Sequence, residues 1–237
     1  MNILLIGYGK MGRMVEKAAL MRHHKIVHII DNEDNWKDLD YEKVDVAIDF
    51  STPYVVEDNI IRCFNHFIPI VVGTTNWYSK LNDFKLLAQK EERTLFVASN
   101  FSIGMFIFNR INILLAKIMN NEPSYEVSIE EIHHKHKLDA PSGSAITLAE
   151  NIIDNIDRKD KWVLDAFEAK SDEVNIFSRR IGEVVGEHSV LYSSVIDDIK
   201  LTHSAHSREG FALGAVLAAE FLKDKKGYFT MKDLVKV

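Results

Sequence analysis

Short, continuous apolar runs open the chain and recur along its first hundred residues: 2–7 (NILLIG), 25–31 (KIVHIID), 45–50 (DVAIDF), 68–73 (IPIVVG) and 94–99 (TLFVAS). Runs of this length without polar alternation read as parallel strands covered on both faces. Longer amphipathic or turn-rich stretches separate them, which predicts a doubly wound α/β sheet of Rossmann type. Residues 32–43 (NEDNWKDLDYEK) are acidic and lack apolar periodicity, so they read as an abbreviated crossover rather than a full helix.

The pattern changes after Ser99. Residues 102–121 place Ile107, Ile111, Leu114 and Ile118 at helical spacing, with Ser102 as an N-cap, and this face is expected to be core. In 124–134, Tyr125, Val127 and Ile129 alternate with Glu126, Ser128 and Glu130, as in a half-buried strand. A helix is expected over 144–156. Residues 183–195 and 198–207 suit an antiparallel pair with one wet face, and a mostly apolar helix follows over 210–222. The expected organisation is a dinucleotide-binding domain over 1–100 and a second α+β domain over 101–210 with a mixed or antiparallel sheet. Residues 211–237 are expected to return to the first.

Composition narrows the function. The 237 residues are 46% hydrophobic and 27% charged with four prolines, a globular balance large enough for a substantial core. A net charge of −6 without a long basic block argues against nucleic acid. The single cysteine, Cys63, rules out an internal disulfide and a thiolate zinc cluster and suits a reducing compartment. No apolar run reaches membrane length and no leader pattern precedes the first strand, so the expected location is cytoplasmic.

Two stretches carry chemistry. Gly7, Gly9 and Gly12 form a G-x-G-x-x-G turn between the first strand and the first helix. That turn permits close approach of a pyrophosphate to the helix N-terminus. Asp31, about 20 residues on, suits a ribose hydroxyl. Glu33 and Asp34 would repel a 2′-phosphate, with only Lys37 nearby, which favours NADH over NADPH.

The second stretch is 131–145, EIHHKHKLDAPSGSA, with three of the ten histidines and two lysines. If Glu131 to Lys137 stay extended, His133, Lys135 and Lys137 share one side. The helix start at Ser142-Gly143-Ser144 adds backbone N–H donors, and together these groups suit a carboxylate or phosphate. A metal site is the competing reading, disfavoured by the adjacent lysines and the lack of an H-E-x-x-H pattern. A solvated basic loop is the third.

The same stretch resembles the E-x-H-H-x-x-K-x-D-A-P-S-G-T-A signature of the dihydrodipicolinate reductase family. GYGKMGR (7–13), IDFSTP (48–53), VVGTT (71–75), ASNFSIG (98–104) and VVGEHSV (184–190) resemble that family's other marks, in its order. The resemblance implies an NADH- or NADPH-dependent reduction of a cyclic dicarboxylate imine in lysine and diaminopimelate biosynthesis, by a homotetramer. It assigns His133 and Lys137 to acid/base work, with Lys137 as proton donor. His134, Gly143 and Ser144 become substrate contacts. Gly7, Tyr8, Gly9, Lys10, Met11 and Gly12 become the pyrophosphate loop, and Asp31 the ribose contact. Gly73, Thr74, Thr75, Ser99, Asn100, Phe101 and Ser102 flank the nicotinamide. Thr52 and Asn32 stand where arginines are common in the family, Ser144 replaces a threonine, and the glycine loop is one residue short.

Arg180 and Gly182 suit either an anion or a turn, Glu187 and His188 suit structural or subunit-contact duty, and His203 and His206 a hydrogen-bonded or exposed role. Two other function classes compete. A non-catalytic dinucleotide sensor would have no need of His133 and Lys137, and a metal-dependent hydrolase would leave the glycine loop unexplained.

Overall fold

The computed structural model describes residues 1–236, the side chains of residues 33–35 excepted. The chain forms two compact units, Met1–Ile103 together with the chain from Glu209 on, and Gly104–Arg208.

The first unit is a six-stranded parallel sheet. Its strands are β1 (Asn2–Ile6), β2 (Lys25–Ile30), β3 (Val46–Asp49), β4 (Ile70–Val72), β5 (Thr94–Val97) and β11 (Gly227–Phe229), in the order β11-β5-β4-β3-β1-β2. The first five are the apolar runs read from the sequence. The three-residue β11, too short for a periodic signal, adds an edge beside β5. Helices α2 (Val56–Asn65) and α3 (Leu81–Lys90) bury Ile60, Cys63, Phe64, Phe84 and Ala88 against Leu4, Ala47, Ile70 and Leu95 of the sheet. Trp36 and Trp77 join this core, and burial pushes the Cys63 thiol upward from its ordinary pKa. Residues 33–38 and 41–43 form only short 3-10 turns, as their missing periodicity implied.

Helix α1 (Lys10–Met21) packs against α6 (Glu209–Phe221), and α6 also meets β3 and β4. Small residues make this possible: Ala212, Gly214, Ala215, Ala218 and Ala219 are all buried. Gly214 sits so close to the Phe101 carbonyl that a Cβ there would overlap it.

The second unit is a mixed sheet of β6 (Glu126–His133), β7 (Lys161–Leu164), β8 (Glu173–Arg180), β9 (Gly186–Ser193) and β10 (Asp198–Ala205), ordered β10-β9-β6-β8-β7. β8 runs parallel to β6 and β7, while β9 is antiparallel to β6 and β10. Helices α4 (Ile103–Met119) and α5 (Gly143–Ile153) supply Phe108, Ala116, Leu148 and Ile152 to a core with Val127, Ile129, Val174, Ile176, Val190 and Tyr192.

The orientation of α4 differs from expectation. Its buried residues are Met105, Phe108, Asn112, Ala116 and Met119, whereas Ile107, Ile111, Leu114 and Ile118 lie on the solvent side. The helix carries apolar residues on both sides, so periodicity alone finds two stripes and cannot rank them. Asn112 settles the inner face through a buried hydrogen bond from its amide to the Leu148 carbonyl.

Gly214→Val should overpack the α6 contact with Phe101. The expected cost is about 1–3 kcal/mol, a fall in thermal midpoint of roughly 2–12 °C for a chain of this size. Scanning calorimetry checks it, and an unchanged midpoint would contradict the close approach.

Candidate active site

The glycine loop of the first unit has the geometry an anion needs. Gly7 has φ +86°, and a Cβ there would strike the Phe50 carbonyl. Gly12 lies against the Gly7 carbonyl, where a Cβ would overlap it. Gly9 differs: an added Cβ meets nothing within 4 Å, so space lies against its backbone. It is also the N-cap of α1, with no side-chain cap and no acidic residue in the first turn. Such a helix start carries partial positive charge and unpaired N–H donors, and it fits a pyrophosphate. The Asp31 carboxylate accepts from the Tyr8 amide at 3.0 Å, which ties the loop to the end of β2. Lys10 and Met11 occupy the first turn of α1, and the Tyr8 hydroxyl donates to Glu16.

Other proposed cofactor contacts have structural duties. The Thr74 hydroxyl donates to the buried Asp49 at 2.6 Å, and Asp49 also takes donors from Ser51 and Asn59. Burial raises the Asp49 pKa against these neutral donors. Gly73 passes so close to the Phe50 ring that a side chain would not fit. Phe101 is buried, stacked on Phe96 at 5.8 Å, so only its backbone is available to a ligand. Thr75, Ser99 and Asn100 lie at or near the surface, and Asn100 accepts from the Ser102 amide at 2.8 Å. Glu33 and Asp34 have side chains outside the described residues.

In the second unit, the alternation of β6 continues past its apolar residues. Val127 and Ile129 are followed on the same buried face by Glu131 and His133. The strand then stops at His133 and turns, with the Lys135 amide donating to Gly182 O and the Lys137 amide to His134 O. The expected extended run to Lys137 is therefore broken. Lys135 points to solvent, while Lys137 is returned towards the strand end. The local reason is the left-handed Gly182 (φ +48°) after β8, whose carbonyl captures Lys135.

Glu131 is fully buried and highly connected. Its Oε1 accepts from Ser178 Oγ at 2.7 Å, Ser142 N at 3.1 Å and Arg180 at 3.2 Å. Its Oε2 lies 3.0 Å from His133 Nδ1 and 3.9 Å from His188 Nε2. Burial by itself would raise the Glu131 pKa, but His133, Ser142 and Ser178 together hold it well below the usual carboxylate range. His188 lies edge-on to His133 at 5.1 Å, with Nε2 3.1 Å from Ser142 Oγ. Burial and the neighbouring His133 lower the His188 pKa to about 4.

Lys137 Nζ sits 2.8 Å from both carboxylate oxygens of Asp139, whose pKa falls through this pairing. Arg180 clamps the same turn, donating to the carbonyls of Lys137 and Asp139. His134 Nε2 is 3.0 Å from Arg208, and desolvation followed by that guanidinium lowers its pKa. Ser142 caps α5 by accepting from Ala145 N at 3.2 Å, and an added Cβ on Gly143 meets nothing within 4 Å. Space thus lies against this helix start too. Burial lowers the His203 pKa, and its ring packs 5.9 Å from Phe108, while His206 is exposed.

Sequence reasoning therefore found His133, His134, Lys137, Gly143 and Ser144 on one local framework. It gave no role to Glu131 or Arg208, assigned His188 structural or subunit-contact duty, and left Arg180 between an anion contact and a turn. The available signal was the period-two burial of β6, which makes a charged residue at 131 a buried one. Glu131, His133 and His188 also bring potential metal-ligand atoms within 4.8 Å of one another. The Arg180 guanidinium already answers the carboxylate's charge there.

A dinucleotide-type glycine turn in one unit and a histidine, lysine and arginine framework in the other are the parts of a pyridine-nucleotide-dependent oxidoreductase, the class to which the comparisons assign the chain. Family models described as dihydrodipicolinate reductase, N-terminus and C-terminus, match residues 1–101 and 104–235. A 4-hydroxy-tetrahydrodipicolinate reductase from Christiangramia forsetii is 48% identical over 99% of this chain and 98% of its own. One from Archaeoglobus fulgidus is 35% identical over 96% of each. A dipicolinate-bound dihydrodipicolinate reductase from Paenisporosarcina, at 22% identity, shares the fold over 99% of both chains with a TM-score of 0.82. The chain belongs to the dihydrodipicolinate reductase family.

The depressed His188 pKa has a definite sign. The unfolded chain takes up a proton near the ordinary value of 6.5 that the folded chain refuses until about 4. Stability should therefore fall as pH drops through that window. His188→Gln should lose less of its urea midpoint than wild type between about pH 7 and about pH 5; equal losses would contradict the burial of a neutral imidazole.

Proposed function

We propose that the chain reduces a cyclic dicarboxylate imine with NAD(P)H, giving tetrahydrodipicolinate, with Lys137 as proton donor and His133 assisting. The observation that carries this reading is the linkage of His133, Arg180 and the turn of Lys137, through Glu131, to one α5 start. A dicarboxylate explains why so many basic groups gather in a chain of net charge −6.

The first unit holds the cofactor. The α1 N-terminus and the open Gly9 receive the pyrophosphate, and Asp31 the adenosine ribose. The backbones of Gly73, Thr75, Ser99, Asn100, Phe101 and Ser102 border the nicotinamide. When bound, the cofactor supplies a hydride to the conjugated imine. An Asp31 carboxylate, and no arginine at 32, favour NADH over NADPH.

The second unit holds the acceptor and the proton. The amides of Gly143 and Ser144 and the His134 ring bind ring carboxylates. Lys137 exchanges its Asp139 partner for substrate, stabilises the enamine anion and protonates it. A non-catalytic sensor would not need this ammonium beside an anion pocket. The second reading loses on that ground.

The family resemblance supports a homotetramer. The free edge of β10 and the apolar Val195, Ile196 and Ile199 beside it offer a surface for sheet extension between subunits. No helix among the described residues is long and apolar enough to cross a membrane, and a cytoplasmic location fits the buried thiol of Cys63.

With enzymatically generated substrate, wild type should oxidise NADH, and Lys137→Ala should lose roughly 10²–10⁴ in kcat. Full activity in that variant would sink the mechanism. A chelator should leave the rate unchanged, since no step is assigned to a metal. Light scattering should give about four times the 27.1 kDa chain mass; a monomer would contradict the proposed assembly.

A further inference from the structure

We propose that Glu131 is a positioning residue that fixes the proton of His133 on Nδ1, and that Gly186 keeps the opposite ring nitrogen clear for use. The proposal rests on the assignment of His133 to the reaction given above.

Glu131 has no exposed surface, yet it contacts each part of the framework. One oxygen gathers the Ser142 amide, the Ser178 hydroxyl and the Arg180 guanidinium, at 3.1, 2.7 and 3.2 Å. These donors occupy Oε1 and leave Oε2 facing the two histidines, His133 Nδ1 being the nearer at 3.0 Å. That contact lies off the line of a hydrogen bond, but a carboxylate 3.0 Å away repels a ring lone pair and attracts an N–H, which assigns the hydrogen to the nitrogen beside it. Nε2 is then left as the nitrogen with an available lone pair in the neutral ring. Because the same carboxylate holds Ser142, the N-cap of α5, one side chain sets both the histidine and the helix start that takes a substrate carboxylate. His188 completes the wall, with its Nε2 on Ser142 Oγ.

Gly186 is an independent observation. It opens β9 and has no positive φ, so its backbone does not demand glycine. An added Cβ would come within 3.1 Å of His133 Nε2 and 3.4 Å of Cδ2. The missing side chain matters because it leaves that edge of the His133 ring uncovered.

The experiment uses the full-length protein with NADH bound. Selective ¹⁵N-histidine labelling reads the tautomer, with the His133 signal assigned from a His133→Asn spectrum. Wild type should carry the proton on Nδ1 in its neutral form. Glu131→Gln, whose amide can turn a donor towards the ring, should shift His133 to the Nε2-H tautomer. Its kcat should fall by on the order of 10-fold or more, with the Kd for NADH unchanged. Gly186→Ala should lower kcat with little change in KM while leaving both the tautomer and the NADH Kd as in wild type. A wild-type His133 protonated on Nε2, or a folded Glu131→Gln with wild-type kcat, would overturn the proposal. If Glu131→Gln does not fold, the wild-type tautomer and the Gly186→Ala kinetics decide. Failure of wild type to oxidise NADH would remove the reductase reading and leave the wild-type tautomer to test Glu131 by itself.

Discussion

An ionised carboxylate can be taken out of water only where several donors converge on it, and a cation among them helps most. Glu131 meets that condition and the second unit is organised around it. Its oxygens join β6 to β8 through Ser178 and Arg180, to β9 through His188, and to the start of α5 through the Ser142 amide. His133 and the start of α5 are thereby attached to a buried strand of their own sheet rather than to a loose basic loop. Lys137 is placed by the same arrangement at one remove, because Arg180 also clamps the carbonyls of its turn.

The first unit provides a contrast. Asp49 is equally buried at the end of β3, but its donors are the hydroxyls of Ser51 and Thr74, an amide and the Asn59 side chain, all neutral. Burial therefore prevails and raises its pKa, whereas at Glu131 the donors His133, Ser142 and Ser178, with the charge of His133, outweigh burial and drive that group the other way. The same density of hydrogen bonds gives opposite electrostatic outcomes. One carboxylate braces the loops bordering the dinucleotide site, and the other supplies a fixed negative charge beside an imidazole.

Much of this was legible in the chain. Five of the six strands of the first sheet were visible because each is a continuous β-branched run. The glycine loop was visible because its spacing leaves few alternatives. Three features were not. The three residues of β11 are too few to show a period. The inner face of α4 was misassigned because both sides of that helix are apolar and the deciding residue, Asn112, is polar. Glu131 carries no motif signal of its own, because the charge density of the stretch lies in the basic residues after it. Its burial follows from the same alternation that marked Val127 and Ile129 as core. Thr74 and Phe101 were read as ligand contacts, yet their side chains serve Asp49 and the aromatic stack around Phe96.

The return of the chain after the second unit governs the order in which the molecule can be completed. Residues 104–208 are an insertion between the fifth strand of the dinucleotide sheet and the helix α6 that packs beside α1 and covers β3 and β4. On the ribosome the inserted unit has all its strands before α6 and β11 have been made. The nascent dinucleotide sheet meanwhile lacks an edge strand and a covering helix. The half of the protein that begins first is therefore the half that closes last.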